Sequence, residues 1–231
     1  MRKLTVGAFL SLDGVMQAPG GPEEDRSGGF QLGGWIVPLS DETTGAAVQE
    51  SFSKPFDLLL GRNTYDIFAA HWGSRIPTDP AAPGYDEGNA RVARAFNQAT
   101  KYVATHAPDT LTWQNSRALG DDVPAAIRKL KQESGPDLLT QGSCELLHTL
   151  LANDLVDQLR LQIFPLVLGK GKRLFDGRSL PHALTLSSSK ISANGVLIVT
   201  YQRAGEVETG SFLLPDPPEE ELKRREKIER T

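Results

Sequence analysis

The chain has 231 residues, 39% of them apolar and 23% charged, and a net charge of -4, a balance that fits one folded domain and excludes wholesale disorder or a membrane protein. Its one dense basic run, Lys223-Arg224-Arg225, is interleaved with Glu220, Glu221, Glu226 and Glu229, which makes a solvated helix face and leaves no cationic stripe for nucleic acid. Cys144 has no second cysteine to pair with, and Leu4 to Leu12 is too short for a signal segment before Asp13-Gly14; with no apolar run near the ~20 residues of a bilayer span, a reducing, cytoplasmic setting is expected.

In chain order, Leu4, Val6, Ala8 and Leu10 alternate with Thr5, Gly7 and Phe9, a period of two that predicts a strand ending at Ser11-Leu12-Asp13-Gly14. Residues 17–34 hold six glycines, Pro19 and Pro22 and predict a mobile surface loop. Asp41 to Ser53 reads as a helix capped at Asp41, Thr43 or Thr44 and ended by Pro55. Phe56 to Leu60 is a short apolar run of the kind buried on both sheet faces; it enters Gly61-Arg62-Asn63-Thr64, after which Tyr65, Phe68, Ala69 and Trp72 follow helical spacing. The Pro- and Gly-rich stretch 73–97 predicts an insertion outside the core with a short helix from Ala90 to Phe96.

Lys101 to Ala104 resumes a strand, with Thr105 and His106 at its end, and an extended piece is expected at Leu111 to Trp113. Ala125 to Lys131 reads as a helix. Asp137 to Gln141 is a strand whose turn, Gly142-Ser143, opens a helix with Leu146, Leu147, Leu150 and Leu151 on its buried stripe. Strands then follow one another: Val156 to Leu168, Lys172 to Phe175, Leu184 to Ser187 and Val196 to Arg203. Alternating strands and helices succeeded by consecutive strands imply an α/β protein with a mostly parallel sheet and a C-terminal antiparallel hairpin. Residues 1–214 form the domain, and 215–231, opening with Pro215, Pro217 and Pro218, a charged tail.

Two turns place a glycine where a buried strand passes into a helix, Gly61 to Thr64 and Gly142-Ser143. In a parallel sheet both lie at the carboxyl edge, where amide groups and helix dipoles suit a dinucleotide pyrophosphate. Thr105 and His106, at a third strand end, offer a hydroxyl and an imidazole to a 2'-phosphate, which favours NADPH over NADH. The Rossmann fingerprint G-x-G-x-x-G is missing, which disfavours an ordinary NAD dehydrogenase. Gly169-Lys170-Gly171-Lys172 lacks the Ser or Thr of a phosphate loop and reads as a hairpin turn. His71, His148 and His182 have no metal-ligand spacing, so no metal is assigned. Trp35, after Gly33-Gly34, is either a wall of the substrate pocket or an anchor of its loop.

The succession Ser11-Leu12-Asp13-Gly14, Leu60-Gly61-Arg62-Asn63-Thr64-Tyr65, Gln141-Gly142-Ser143 and Phe164-Pro165-Leu166-Val167-Leu168-Gly169-Lys170-Gly171, followed by Leu174-Phe175, resembles the reductase domain of the bifunctional riboflavin-biosynthesis deaminase/reductase and its stand-alone dihydrofolate-reductase-like relatives. The likeness runs from about Met1 to Arg203. It implies a dihydrofolate-reductase-like fold with helices on both sheet faces, NADPH as cofactor and a homodimer. It also implies hydride transfer to a small heterocyclic or ribosyl-linked substrate, similar to a 5-amino-6-(5-phosphoribosylamino)uracil.

Carried over by position, Gly61, Arg62, Asn63 and Thr64 make the first cofactor turn and Gly142 and Ser143 the second, where Ser143 departs from a frequent glycine. Thr105 falls near the 2'-phosphate; Asp13 and Gly14 fall beside the nicotinamide, with Asp13, or a water it holds, as the proton donor. Dihydrofolate reductases carry an orienting carboxylate where this chain has Thr44, Gly45 and Ala46; Asp41 and Glu42 lie one turn earlier, and no zinc deaminase domain precedes the match. Two alternatives stay open: a non-catalytic nucleotide-binding protein of this fold, and dihydrofolate reduction with Asp41 or Glu42 turned into the pocket.

Overall fold

The alternation of strand β1 (Leu4–Ser11) sends Leu4, Val6, Ala8 and Leu10 into one buried cluster. A computed structural model, which describes residues 1–212 and 217–229, places this strand near the middle of a sheet. The other strands are β2 (Phe56–Gly61), β3 (Lys101–Ala104), β4 (Ser116–Ala118), β5 (Asp137–Thr140), β6 (Gln158–Phe164), β7 (Ala183–Ile191) and β8 (Leu197–Gly205). Their order among the described residues is β4-β3-β2-β5-β1-β6-β8-β7. Every pairing from β4 to β6 is parallel, and β6, β8 and β7 are joined antiparallel.

Helices cover both faces. Leu59 of β2 joins the cluster under α4 (Val123–Gln132) and α5 (Cys144–Ala152), through Ile127, Leu130, Leu147 and Leu150. Its neighbours Leu58 and Leu60 point the other way, to Tyr65 of α2 (Arg62–Phe68) and to Val92 and Phe96 of α3 (Glu87–Gln98). One strand therefore feeds two cores, as its uninterrupted apolar run requires. On the α2 side, α1 (Glu42–Ser51) starts in a reciprocal capping box, Asp41 accepting from the Thr44 amide and Thr44 Oγ1 accepting from the Asp41 amide. The charged helix α6 (Glu219–Glu229) ties itself with Lys223–Glu219 and Arg224 and Arg225 to Glu221. No helix among the described residues is long and apolar enough to cross a membrane.

Several expectations are corrected. The segment 73–97 is not wholly outside the core: α3 is longer than expected and buries Ala90, Val92, Ala93 and Phe96, because it is the crossover between parallel β2 and β3. The extended piece at Leu111 to Trp113 forms later, as β4, while Trp113 packs beside Tyr65. β6 is shorter than 156–168, since Pro165 lacks the amide a ladder needs and the Leu166 amide turns back to Phe164 O. Lys172 to Phe175 makes only a bridge, Val15 to Arg173, so 169–172 is not the turn of a hairpin. The boundary expected at Leu214 and Pro215 lies outside the described residues.

Loop 17–34 is surface chain with a buried anchor. Gln17 Nε2 donates to Ser27 O at 2.9 Å and Trp35 Nε1 to Gln17 O at 2.8 Å, while Ala18, Phe30 and Trp35 pack on Phe164 and Val196.

Lys101 opens β3 with 0% exposure, its Nζ donating to Phe96 O at 2.9 Å and Asn97 O at 3.2 Å, 4.5 Å from the Trp113 ring centre. Burial pushes this ammonium down from 10.5 to about 8. Between those values the unfolded chain keeps a proton that the folded chain has released, so folding gains stability as pH rises through the window. Urea unfolding is expected to show a gain on the order of 2 kcal/mol from about pH 8 to about pH 10, and Lys101→Met to flatten it.

Candidate active site

In β2, β3 and β5 the parallel register aligns Gly61 with Ala104 and places Thr140 at the same end of the sheet. The chain leaves β2 through Gly61 into α2 and leaves β5 through Gly142-Ser143 into α5. The two turns touch: the Gly61 amide faces Gly142 O at 3.5 Å. A methyl on Gly61 would overlap Ser143 Oγ and come within 3.0 Å of Ser143 Cβ and 3.2 Å of its amide. On Gly142, whose φ is +140°, a methyl would lie 2.8 Å from Thr64 Oγ1, and the Gly142-Ser143 peptide is cis. Glycine is required at both places for this close approach.

Neither helix has a side-chain cap. Gly61 and Ser143 stand at the N-cap positions of α2 and α5 with no capping hydrogen bond, so first-turn amides of both helices lack internal acceptors. A cleft of about 310 Å³ opens beside them, lined by Asn63, Thr64, Gly142 and Ser143, by Phe9 of β1, by Met16, Gln17, Ala18 and Pro19, and by Gln141 and Lys172. Asp66, Glu24 and Asp25 also line it, but each has a partner. Asp66 holds Arg62 Nε at 2.9 Å, Glu24 accepts from the Gly20 amide at 2.7 Å, and Asp25 accepts from Lys172 Nζ at 2.6 Å. Burial raises the Glu24 carboxyl. For Asp25 burial is the largest single effect and acts upward, yet the hydrogen bonds from Lys172 and Ser27 outweigh it and hold the group below its ordinary value.

Of the residues anticipated from sequence, Asn63, Thr64, Gly142 and Ser143 line the cleft, and Gly61 is the contact that brings the turns together. Arg62 stands outside. Its guanidinium pairs with Asp66 and bonds Thr110 Oγ1, in the short helical turn just past Thr105 and His106. Thr105 Oγ1 accepts from the Ala107 amide at 3.1 Å, and His106 is exposed. Arg62, Thr105 and His106 thus gather along the β2–β3 edge, beside the cleft rather than in it. Trp35 is 7% exposed, meets Phe164 edge-on at 5.5 Å and is absent from the cleft lining, so it anchors its loop.

Asp13 is placed unlike a proton donor. Its Oδ1 accepts from Ser11 Oγ at 2.6 Å and the Leu168 amide at 3.0 Å, and its Oδ2 from the Gly169 amide at 2.9 Å and Arg173 at 3.2 Å. The Ser11 hydroxyl first, then the Leu168 amide, hold the carboxyl well below the ordinary carboxylate range. It is an ionised pin between the β1 and β6 ends, and Gly14 beside it turns the chain with φ +78°. Asp41 is likewise committed, to the Thr44 amide and to the Asn194 amide at 3.3 Å, and neither it nor Glu42 lines the cleft.

Lys172, Asp25, Gln17 and Gln141 carry the cleft's polar chemistry, though none of them is among the site residues expected from sequence. The signal for Lys172 is its place in Gly169-Lys170-Gly171-Lys172; for Gln141 it is its position directly before the Gly142 turn. Cys144 also lines the cleft, with burial pushing its thiol up to about 11, so it is inert at neutral pH.

Residues 2–198 match the family model described as the RibD C-terminal domain. The chain belongs to the RibD C-terminal domain family. Among curated relatives, "Uncharacterized protein YyaP" of Bacillus subtilis (strain 168) is 28% identical over 64% of this chain and 74% of its own length. "Uncharacterized protein YwjB" of the same organism is 25% identical over 82% and 91%. A solved structure named "Putative riboflavin biosynthesis protein" from Shewanella sp. PV-4 superposes with TM-score 0.58 at 21% identity, over 88% of this chain and 99% of that one. A pyrimidine reductase-like protein from Corynebacterium diphtheriae gives 0.51 at 14% identity, over 89% and 93%. These two likenesses concern the fold: an α/β architecture with a mostly parallel sheet and an antiparallel end.

Two measurements probe this geometry. Gly61→Ala should drive the turns apart, lowering the melting temperature by several degrees, about 1–3 kcal/mol for an overpacked contact; Ser143→Gly added to it should restore much of the loss by removing the nearest atoms. Asp13 should add stability above its unfolded pKa near 3.8 that is lost as pH falls, so acid titration of Asp13→Asn should show a shallower decline than the parent chain.

Proposed function

We propose that this protein is an NADPH-dependent reductase that transfers a hydride to a small heterocyclic or ribosyl-linked substrate. The observation that carries the reading is the convergence of two uncapped helix starts on one cleft, with glycine at the contact. First-turn amides and aligned helix dipoles favour an anion there, and each carboxylate of the cleft already has its own donor. A diphosphate bridge fits this donor set. The volume of about 310 Å³ takes part of a dinucleotide, and Arg62, Thr105 and His106 along the adjoining edge supply the chemistry for a 2'-phosphate.

When bound, the cofactor supplies the reducing equivalent. The chain's own residues do the rest. Thr64 and Ser143 hydroxyls and the amides of both turns fix the phosphates; Met16, Ala18 and Pro19 close one wall against water. Lys172 replaces Asp13 as the group that holds a proton in the cleft, its Nζ oriented by Asp25 and its amide by Gln17 Oε1 at 3.0 Å. The family's reductase character and the pyrimidine reductase-like neighbour support a nitrogen heterocycle as the substrate. The reading includes a homodimer, for which the exposed Leu184, Leu186 and Ile191 of edge strand β7 offer the surface.

Fluorescence titration with NADPH and with NADH tests it. NADPH is expected to bind more tightly, and Arg62→Ala to weaken NADPH about tenfold with little change toward NADH and none in melting temperature. An equal, weak response to both nucleotides would remove the cofactor assignment.

A further inference from the structure

The glycine-rich loop turns one carboxyl back on its own backbone. Glu24 closes a tight turn, its amide donating to Gly21 O at 3.2 Å, and its Oε2 accepts from the successive amides of Gly20 at 2.7 Å and Gly21 at 3.2 Å. Two consecutive amides aimed at one oxygen make a small anion nest. Residues 33–36 brace this turn: a methyl on Gly33 would lie 2.5 Å from Gly21 O and 2.8 Å from Pro22 Cα, so only glycine admits the packing. The Gly34 amide donates to Ala18 O at 2.9 Å, the Ile36 amide to Pro19 O at 3.3 Å and the Trp35 indole to Gln17 O. Braced backbone therefore holds Glu24 on the wall of the cleft.

The other oxygen of this carboxyl is left over. Glu24 Oε1 takes no hydrogen bond among the described residues, and unlike Gln162 Oε1 it is not sealed from solvent. Burial, the largest effect on this half-buried side chain, raises its carboxyl; the Gly20 and Gly21 amides pull it down and the charge of Asp25 pushes it up again. Asp25 goes the other way. Against its own burial it is pulled below the ordinary value by Lys172 Nζ at 2.6 Å and by Ser27. Adjacent carboxyls whose surroundings drive them apart in this manner have the form of an acid beside a fixed charge. The cleft's remaining titratable groups are committed: Asp66 to Arg62, Lys172 to Asp25, and Cys144 to a thiol pushed up to about 11. Glu23 and Arg26, exposed on the same loop, pair with each other.

We infer that Glu24 is the catalytic acid of this cleft, handing the proton on Oε1 to the nitrogen of a substrate C=N bond as the carbon of that bond receives a hydride from a nicotinamide dinucleotide. This rests on the reductase reading. The carbon gains a C–H bond, the π pair of C=N forms the new N–H bond, and the Oε1–H bond breaks with its electrons left on the carboxylate. The Gly20 and Gly21 amides stabilise that anion at Oε2, and water returns the proton. In sum one dinucleotide is oxidised and one C=N becomes CH–NH, with one proton taken from solvent. Lys172 keeps its own proton against Asp25 and is the cleft's fixed cation.

The test joins carboxyl titration of the full chain to turnover. Carbon-13 NMR of chain labelled at the glutamate carboxyls, with the Glu24 signal assigned by its loss in Glu24→Gln, is expected to show this group titrating above the chain's other glutamates. Gln keeps an oxygen for the two glycine amides and carries no acid, so melting temperature and NADPH affinity should be unchanged. With 5-amino-6-(5-phosphoribosylamino)uracil as the probe, kcat for NADPH oxidation should fall about a hundredfold in that variant, with KM little altered. The parent's kcat should decline as pH rises through the Glu24 midpoint, since the protonated form is the active one. Glu24→Gln should lose this alkaline limb and Glu24→Asp, a shorter acid, should keep it. Should Glu24→Gln fail to fold, Glu24→Ala takes its place, with added acetate buffer expected to restore part of the lost rate.

A Glu24 carboxyl that titrates with the other glutamates overturns the inference whatever the chain binds. So does a variant without the acid that turns over as the parent does or keeps the alkaline limb, and either result leaves the reductase reading standing. A parent chain that binds no NADPH, or binds it without oxidising it against this compound, overturns the reductase reading and the acid's role together.

Discussion

The contact between Gly61 and Ser143 is where the turns after β2 and β5 meet, and its dimensions leave no room for a side chain at 61. β2 and β5 are adjacent and parallel, so their helices begin side by side, and the distance between those beginnings is set by what stands at the two turns. With glycine at 61 the backbones close until one amide faces the other turn's carbonyl. That closeness aligns two helix starts toward one volume. A wider gap would give two weak anion sites; a narrow one gives a single concentrated field, since helix-terminus effects fade within a turn.

Around this contact the fold supplies support at graded distance. The two cores on either side of β2 hold α2 and α5 by packing, which fixes the angle of each helix. The Asp13 pin does a related task at the ends of β1 and β6: a carboxylate with four donors ties the Ser11 turn to Leu168, Gly169 and Arg173. That stretch leads to Lys172, whose backbone and ammonium are then held by Gln17 and Asp25 from the glycine-rich loop. The loop is therefore coupled to the cleft through hydrogen bonds at its beginning and at residue 25, with the Trp35 ring as its apolar anchor.

The polar face of β6 gives the region under α1 a different character from the rest of the sheet. α2, α3, α4 and α5 pack on aliphatic and aromatic side chains; α1 lies over two glutamines and an arginine. Such a face is costly to bury unless its groups find partners, and the unsatisfied Gln162 oxygen marks where that requirement is left open. The cleft at the turns and a cavity at this face share Phe9 and Gln141 as walls.

Much of this was legible in sequence because it depends on local periodicity. The two-residue alternation of β1, the unbroken run of β2, the Asp41 cap and the glycines at 61 and 142 each announce themselves within a few neighbouring residues, and their order carried the family resemblance. The α3 helix reads as peripheral in sequence because prolines and glycines around it mask the fact that a parallel crossover must pack on the sheet. Position in the chain suggests a proton donor at Asp13 and leaves Trp35 between pocket wall and loop anchor, but a side chain's role follows from what surrounds it. Four donors made the first an ion pin, and Phe164 made the second an anchor. Lys172, Asp25 and Gln162 are separated by up to 147 positions along the chain, and no local pattern relates them. Only folding sets Lys172 within 2.6 Å of Asp25 and Gln162 against Thr44, because the sheet order, not the sequence order, decides which strand ends become neighbours.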